Sequence, residues 1–189
     1  MSEKNDLPIT YVSKFIIDPD QILKRLISEL NWERREGTPR SEYYCNDLNT
    51  PYVYGRGRGE RLYNPQPYHP DILLIKEKLE TYTNTKFEVC FLNLYHNQSD
   101  FLGFHSDNSP EMDDLRPIVT VSLGVEREIW FCPIGDKKNI TKLKLENGSA
   151  CIMAPGMQDT HLHRIPKASF QCGERISLTF RGYVVLNKG

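Results

Sequence analysis

The chain has 189 residues, 26% of them charged, and a formal net charge of −1. That length suits one compact domain with a buried core, and the balanced charge excludes a global basic field, so any nucleic-acid contact must come from a local patch. The five cysteines are widely spaced with no Cys-x-x-Cys pair, which argues against a disulfide framework or a cysteine zinc site. The start carries no apolar stretch fit for a signal peptide, and no apolar run reaches the roughly 20 residues of a membrane helix, so an intracellular, reducing setting without membrane contact is expected.

Two helices are predicted near the front. Asp18-Pro19 reads as a cap followed by proline at the first helical position, and Ile22, Leu23, Leu26, Ile27 and Leu30 then recur on one face. A second helix opens at Pro70-Asp71 and runs to about Tyr82, predicted to bury Ile72, Leu73 and Leu79, with Ile75 at the margin. Between them, from about Gly37 to Pro67, a segment rich in tyrosine, proline and glycine shows no sustained period. Its run Gly55-Arg56-Gly57-Arg58-Gly59 predicts a flexible, basic loop.

After residue 86 short β-like runs follow one another: Glu88 to Tyr95, Ile118 to Leu123, Glu128 to Pro133, Ile140 to Leu145, Ser149 to Ala154, and Arg175 to Val185. Turn residues such as Gly135-Asp136 and Asn147-Gly148 separate them. That density of strands points to a sandwich, barrel or jelly roll.

Four sets of residues could carry chemistry. His105-Ser106-Asp107 puts an imidazole and a carboxylate on one face of an extended segment, though alone it also reads as a loop histidine beside a solvated aspartate. A distant histidine would complete a two-histidine, one-carboxylate set, which suits non-haem iron(II) with open positions for co-substrate and oxygen. His161 and His163 are rivals for that place, and local spacing does not choose between them. In Arg175-Ile176-Ser177-Leu178-Thr179-Phe180-Arg181 the alternation is strict, so Arg175, Ser177, Thr179 and Arg181 share one face. Either this is a polar outer face, or a concave sheet aims two guanidiniums at a dicarboxylate, which arginine matches in a bidentate way. Asn93 and Tyr95 point the same way from an apolar strand, as ligand groups for that dicarboxylate or as a buried structural pair.

Taken in order, these residues resemble the AlkB family of nucleic-acid-dealkylating dioxygenases, in particular its DNA and RNA repair branch. The matching stretches are Asn93-Leu94-Tyr95, Phe104-His105-Ser106-Asp107, Ile118 to Leu123 followed by Gly124, and His163-Arg164-Ile165-Pro166-Lys167. The stretch from Arg175 to Arg181 is close to the family's Arg-x-Asn-Leu-Thr-Phe-Arg. Pro39-Arg40, Tyr43-Tyr44 and Pro51-Tyr52-Val53-Tyr54 resemble its substrate-side segment.

The resemblance implies a single α+β domain over residues 1–189: N-terminal helices and a substrate-side lid over 1–86, and a double-stranded β-helix (jelly-roll) core over 87–189. It makes His105, Asp107 and His163 the iron(II) ligands, because the family's distal ligand precedes a short apolar-Pro step, and leaves His161 as a lining residue. Arg175, helped by Tyr95, would pair with the distal carboxylate of 2-oxoglutarate, with Arg181, Asn93, Ser177 and Thr179 completing the co-substrate site. With O2, such a site decarboxylates 2-oxoglutarate to succinate and hydroxylates an inert C–H bond, so that an N-methyl base loses its methyl group as an aldehyde. The extruded base would lie between Tyr54, with Tyr52 nearby, and His105. Arg40 and Asn108 join the substrate side, and Arg56, Arg58 and Arg61 would reach phosphates.

The chain departs from the pattern at two positions. The repair branch continues His-x-Asp with acidic residues that read the alkylated base, where this chain has Asn108-Ser109, and Ser177 replaces the usual asparagine. The expected function is therefore oxidative demethylation of alkylated DNA or RNA by a monomer that prefers single strands. The alternatives are a hydroxylase of the same fold acting on a modified nucleobase, nucleotide or protein side chain, and a non-catalytic metal or nucleic-acid-binding module.

Overall fold

A computed structural model describes residues 7–54 and 60–184. Two antiparallel sheets form its body. The larger has six strands in the order β1 (Ile9–Val12), β10 (Ala150–Met153), β7 (Ile118–Gly124), β12 (Arg175–Arg181), β5 (Val89–Tyr95) and β2 (Ser41–Asn46). The smaller has four, in the order β6 (Leu102–His105), β11 (His161–Ile165), β8 (Arg127–Pro133) and β9 (Thr141–Leu145). A separate hairpin joins β3 (Tyr52–Tyr54) to β4 (Arg61–Tyr63).

Helices α1 (Pro19–Glu29) and α2 (Pro70–Thr83) pack on one face of the six-stranded sheet. Leu26, Ile72, Ile75 and Leu79 meet Leu92, Leu94, Val121, Leu178 and Phe180 there, each almost wholly out of water. A leucine buried to that degree contributes roughly 1.5–3 kcal/mol relative to exposure. Arg25 joins the helices, its Nε and Nη2 donating to the two oxygens of Asp71 at 2.7 and 3.0 Å. The other face of the sheet turns toward the smaller sheet, with Tyr95, Ile118, Phe131, Met153 and Ile165 between them. The central strands are therefore buried on both sides, and β12 is covered along nearly its whole length although its sequence alternates.

Several expectations need correction. Asp18 holds the cap position of α1 but sits in the left-handed region at φ 55°, and its side chain makes no capping hydrogen bond. Leu73 is 39% exposed because it falls between the buried positions Ile72 and Ile75 of α2. The region from Gly37 to Pro67 is not irregular throughout. β2 alternates Ser41, Tyr43 and Cys45 against Glu42, Tyr44 and Asn46, all buried, so two differently lined faces masked its period. β1, β6 and β11 were not among the expected strand runs, nor was the four-residue α3 (Met157–Thr160) among the expected helices. The last strand ends at Arg181, and Tyr183 bridges to Met112 instead. The glycine- and arginine-rich run, with Arg56 and Arg58, lies outside the described residues.

Candidate active site

The candidate metal cluster is assembled by strand register. β6 and β11 are antiparallel neighbours with His105 directly opposite His163, which puts both imidazoles on the inner face with ring centres 4.3 Å apart. Asp107 follows β6 by two residues. Its backbone N–H donates to Gln158 Oε1 at 2.9 Å, which turns the carboxylate inward. Asp107 Oδ1 then lies 3.5 Å from His105 Nε2, and Oδ2 lies 3.5 Å from His163 Nε2. The three donor atoms all fall within 4.8 Å of one another.

Electrostatics prepare the same three groups for a dication. His105 Nδ1 is 2.8 Å from the Gly103 carbonyl, so the proton belongs on Nδ1 and the Nε2 lone pair faces inward. Burial, reinforced by neighbouring His105, pushes His163 down to about 3, leaving a neutral imidazole at physiological pH. Burial alone would raise Asp107. The Arg181 guanidinium, donating from Nη2 at 2.8 Å, and the two imidazoles outweigh it and hold the carboxyl well below its usual range. Two imidazoles and one carboxylate on one side, with the other side open to a cavity, could hold a divalent metal and leave positions free.

Deeper in the sheet lies a second unsatisfied group. Arg175 is fully buried, and burial lowers it only to about 10, so it stays cationic at neutral pH. Its Nη2 donates to Ser122 Oγ at 2.8 Å, whereas Nε and Nη1 have no partner, and neither has the buried Tyr95 hydroxyl. Gly124 lets the strands close over this point. At φ +96°, a Cβ there would stand 2.4 Å from the Glu174 carbonyl oxygen and 3.2 Å from Arg175 Cα. A buried guanidinium without an anion is costly, and a small carboxylate ligand would satisfy both it and the phenol.

The open side is a cavity of about 340 Å³ whose walls include Arg40, Glu42, Tyr52, Tyr63, Asn93 and Phe104 beside His105, Asp107 and Arg181. Arg40 Nε donates to Asn93 Oδ1 at 2.8 Å and Nη2 to Glu42 Oε1 at 3.0 Å, while Tyr63 donates to Glu42 Oε2 at 3.1 Å. Asn93 is thus engaged with Arg40. Tyr54 forms part of the rim and is 42% exposed, and Arg61 stands beside it. Ser177 and Thr179 are buried on the Arg175 face, with Thr179 Oγ1 3.5 Å from Thr120 Oγ1.

Two expected substrate-side residues are elsewhere. Asn108 is exposed and donates to Asp159 Oδ1 at 2.8 Å, so it is not a cavity wall. His161 opposes Pro133 at the far end of β11, its Nδ1 2.8 Å from Thr160 Oγ1, outside both the cavity and the donor cluster. Conversely, Glu42, Tyr63, Ser122, Gln158 and Arg127 were not anticipated. Arg127 is buried, donates to the carbonyls of Asp100 and Pro166, and lies 5.5 Å from the Tyr95 ring centre. The alternation within β2 could have revealed Glu42. Nothing local marks the others, which reach the site through tertiary contacts.

A paired-sheet fold with two histidines and an aspartate at its mouth and a buried arginine at its base defines a class of metal-dependent oxygenases. The profile of the 2OG-Fe(II) oxygenase superfamily matches residues 21–181, and the chain belongs to that superfamily. The superfamily's metal and co-substrate are iron(II) and 2-oxoglutarate, used with O2, and the donor cluster and the unpaired Arg175–Tyr95 groups fit them. The chain is similar to Alpha-ketoglutarate-dependent dioxygenase alkB homolog 3 of Bos taurus and of Homo sapiens, 30% identical over 181 residues in each case. These alignments take in 87% of this chain and 61% of each relative, so the chain spans less than two thirds of their length. It is also 25% identical over 157 residues to DNA oxidative demethylase ALKBH2 of Homo sapiens, across 79% of this chain and 59% of that one. The solved structure of OsALKBH1 shares the fold, with a TM-score of 0.65 and 20% identity over 93% of this chain and 98% of that chain.

Proposed function

We propose that this protein is an iron(II)- and 2-oxoglutarate-dependent dioxygenase that removes methyl groups from alkylated bases in DNA or RNA, with unpaired strands preferred. The observation that carries the reading is the opening of the His105–Asp107–His163 cluster directly onto an aromatic-walled cavity. The bound iron and 2-oxoglutarate would supply an oxidant able to hydroxylate a C–H bond. The chain's own residues do the positioning. His105, Asp107 and His163 hold the metal on one side, and Arg181 keeps Asp107 ionised and aimed. Arg175 and Tyr95 take the distal carboxylate of the co-substrate, with Ser122 fixing the guanidinium. Tyr52 and Tyr54 meet the face of the extruded base, and the Arg40–Glu42 pair offers a donor and an acceptor to its edge. The names of the similar proteins, dioxygenase and DNA oxidative demethylase, support this chemistry. A double-stranded β-helix core in one monomeric domain, to which the front half of the chain adds helices, a lid and the sheet strands β1 and β2, is the architecture we assign to it.

Among the described residues no helix is long and apolar enough to cross a membrane. The preference for unpaired strands rests on the hairpin, whose described aromatics line the cavity, while its exposed apolar pair, Val53 and Leu62, alternates to the face away from the cavity. An unpaired base avoids an unstacking cost of a few kcal/mol. Succinate release measured with no oligonucleotide, with an unmodified one and with methylated single and double strands tests the whole reading. Stimulation by the methylated single strand, with aldehyde formed in step, is expected, and faster turnover of fully paired duplex would sink the strand preference.

A second reading has its own observation. Asn108 stands where the repair branch has an acidic residue and turns away from the cavity, and Glu42 is already paired with Arg40. A cationic base therefore meets little free negative charge, which favours a hydroxylase of a neutral modified base or nucleotide. In the same assay, succinate release stimulated by neutral methylated bases and not by cationic ones would select it.

A further inference from the structure

The outer face of the smaller sheet carries a feature that the oxidation chemistry does not use. Successive residues of a strand point to opposite sides, so Phe104 and Arg164 face outward where His105 and His163 face in. Register extends this row, since Arg164 lies opposite Trp130 on β8 and Trp130 opposite Lys142 on β9. Ring and cation thus alternate across four strands as Phe104, Arg164, Trp130 and Lys142. The Arg164 guanidinium carbon is 4.5 Å from the Phe104 ring centre and 4.3 Å from that of Trp130, and Lys142 Nζ is 4.3 Å from the Trp130 ring centre. Alongside, Lys167 Nζ lies 5.3 Å from the Phe101 ring centre.

Arg164 differs from the other described arginines. Every other described arginine has a hydrogen-bond or ion-pair partner. Among the described residues Arg164 has none, and its Nε is buried between the rings. Among the described residues Lys142 and Lys167 also lack a carboxylate partner. The two acidic groups nearby are already engaged: Glu128 accepts the Trp130 indole N–H at 2.7 Å, and Glu126 pairs with Lys144. A groove of about 730 Å³ adjoins the row, lined by Trp130, Lys142, Lys144, Lys167 and a half-exposed Phe170. A ring holds a long cationic side chain in place before any ligand arrives, so less freedom is lost on binding. Phe104 sits on β6, the edge strand whose residues also line the catalytic cavity, so the row begins at the cavity rim.

We propose that this row, with Lys167 beside it, is a track for the phosphate backbone of the single-stranded nucleic acid whose target base enters the cavity. The proposal rests on the nucleic-acid reading above. Unpaired fixed cations select a polyanion, and continuity through Phe104 selects the substrate strand itself. The Trp130 ring is already occupied by cations, so contact is with phosphates and is indifferent to base sequence. The row crosses three strand spacings, about 14 Å, leading away from the metal cluster.

The test is equilibrium binding of a labelled, unmodified single-stranded oligonucleotide, followed by fluorescence anisotropy across a salt series. Wild type, K142Q, the double variant K142Q/K167Q, and R164Q are compared. The slope of log affinity against log salt should fall by about 0.7 for each cation removed, with a several-fold loss of affinity at each step. Lys142 and Lys167 are exposed, so the double variant decides the question even if R164Q fails to fold. Unchanged slope and affinity in that variant, with wild type binding and demethylating methylated strands, would overturn the track and leave the enzyme assignment standing. Wild-type protein that neither binds nor demethylates any oligonucleotide would overturn both. Competition by polyglutamate as strong as that by an oligonucleotide of equal charge would reassign the surface to an acidic protein partner and overturn the proposal.

Discussion

The two ends of β12 carry arginines of opposite condition. Arg181, at one end, donates to Asp107 at 2.8 Å beside the donor cluster. Arg175, six residues earlier, is wholly buried with two guanidinium nitrogens unpaired and an unpaired phenol beside it. One strand thus holds a charge paired with a carboxylate and a charge with no anionic partner among the described residues. The contrast teaches how to tell them apart. A guanidinium paired with a carboxylate orients that group even with its Nε unpartnered, whereas a buried one with no anion beside it points to where a counter-ion belongs, because burial without a partner is costly.

The comparison breaks most sharply at the candidate metal cluster beside Arg181. His163→Ala should reduce succinate release to background and lower bound iron, while His161→Ala keeps most of both. The reverse pattern, read by iron content and turnover, would show that β11 presents the other imidazole. Arg181→Gln tests the carboxylate-paired end. Removing one partner of a buried pair leaves Asp107 uncompensated, so metal-free protein should lose about 3–5 kcal/mol in urea unfolding. An added divalent cation should restore much of that loss, and an unaltered midpoint would show that the pair does not hold the carboxylate.

Arg175→Lys tests the end without an anionic partner, with a smaller effect. The charge stays but the planar fork is lost, so the 2-oxoglutarate requirement should rise about 10- to 100-fold, the worth of one or two charged hydrogen bonds. An unchanged requirement would remove Arg175 from the co-substrate site. Smallest is Tyr54→Ala at the exposed rim. Loss of a stacking face worth about 1–3 kcal/mol should raise the KM for methylated oligonucleotide roughly tenfold. No change would move the base-stacking role to Tyr52, which is buried in the cavity wall.

Legibility in the sequence followed how local each signal was. The strict alternation from Arg175 to Arg181 placed both guanidiniums on one face, and His105-x-Asp107 marked the cluster. The buried face of α1 was equally clear, since Leu26 and its neighbours repeat at helical spacing. β2 was lost because both of its faces are buried, so tyrosines and polar residues occupy each in turn without a polar side to show the period. Glu42 disappeared with it, although it is a cavity carboxylate.

What the sequence by itself determined is therefore the inventory: a two-histidine, one-aspartate donor set, an arginine-bearing strand, and a family resemblance strong enough to expect iron and 2-oxoglutarate. Only the tertiary structure decided which groups meet. The register of β6 against β11 puts His163 opposite His105 and leaves His161 facing Pro133, a choice that spacing on one strand face left open and that only the family resemblance addressed. The same register lines Arg164 up with Trp130 and Lys142 on the outer face. The physical reason is that strand pairing joins residues far apart in the chain. Chemistry that depends on a few ångströms across strands is therefore fixed by the packing of the whole sheet, not by any short stretch of sequence.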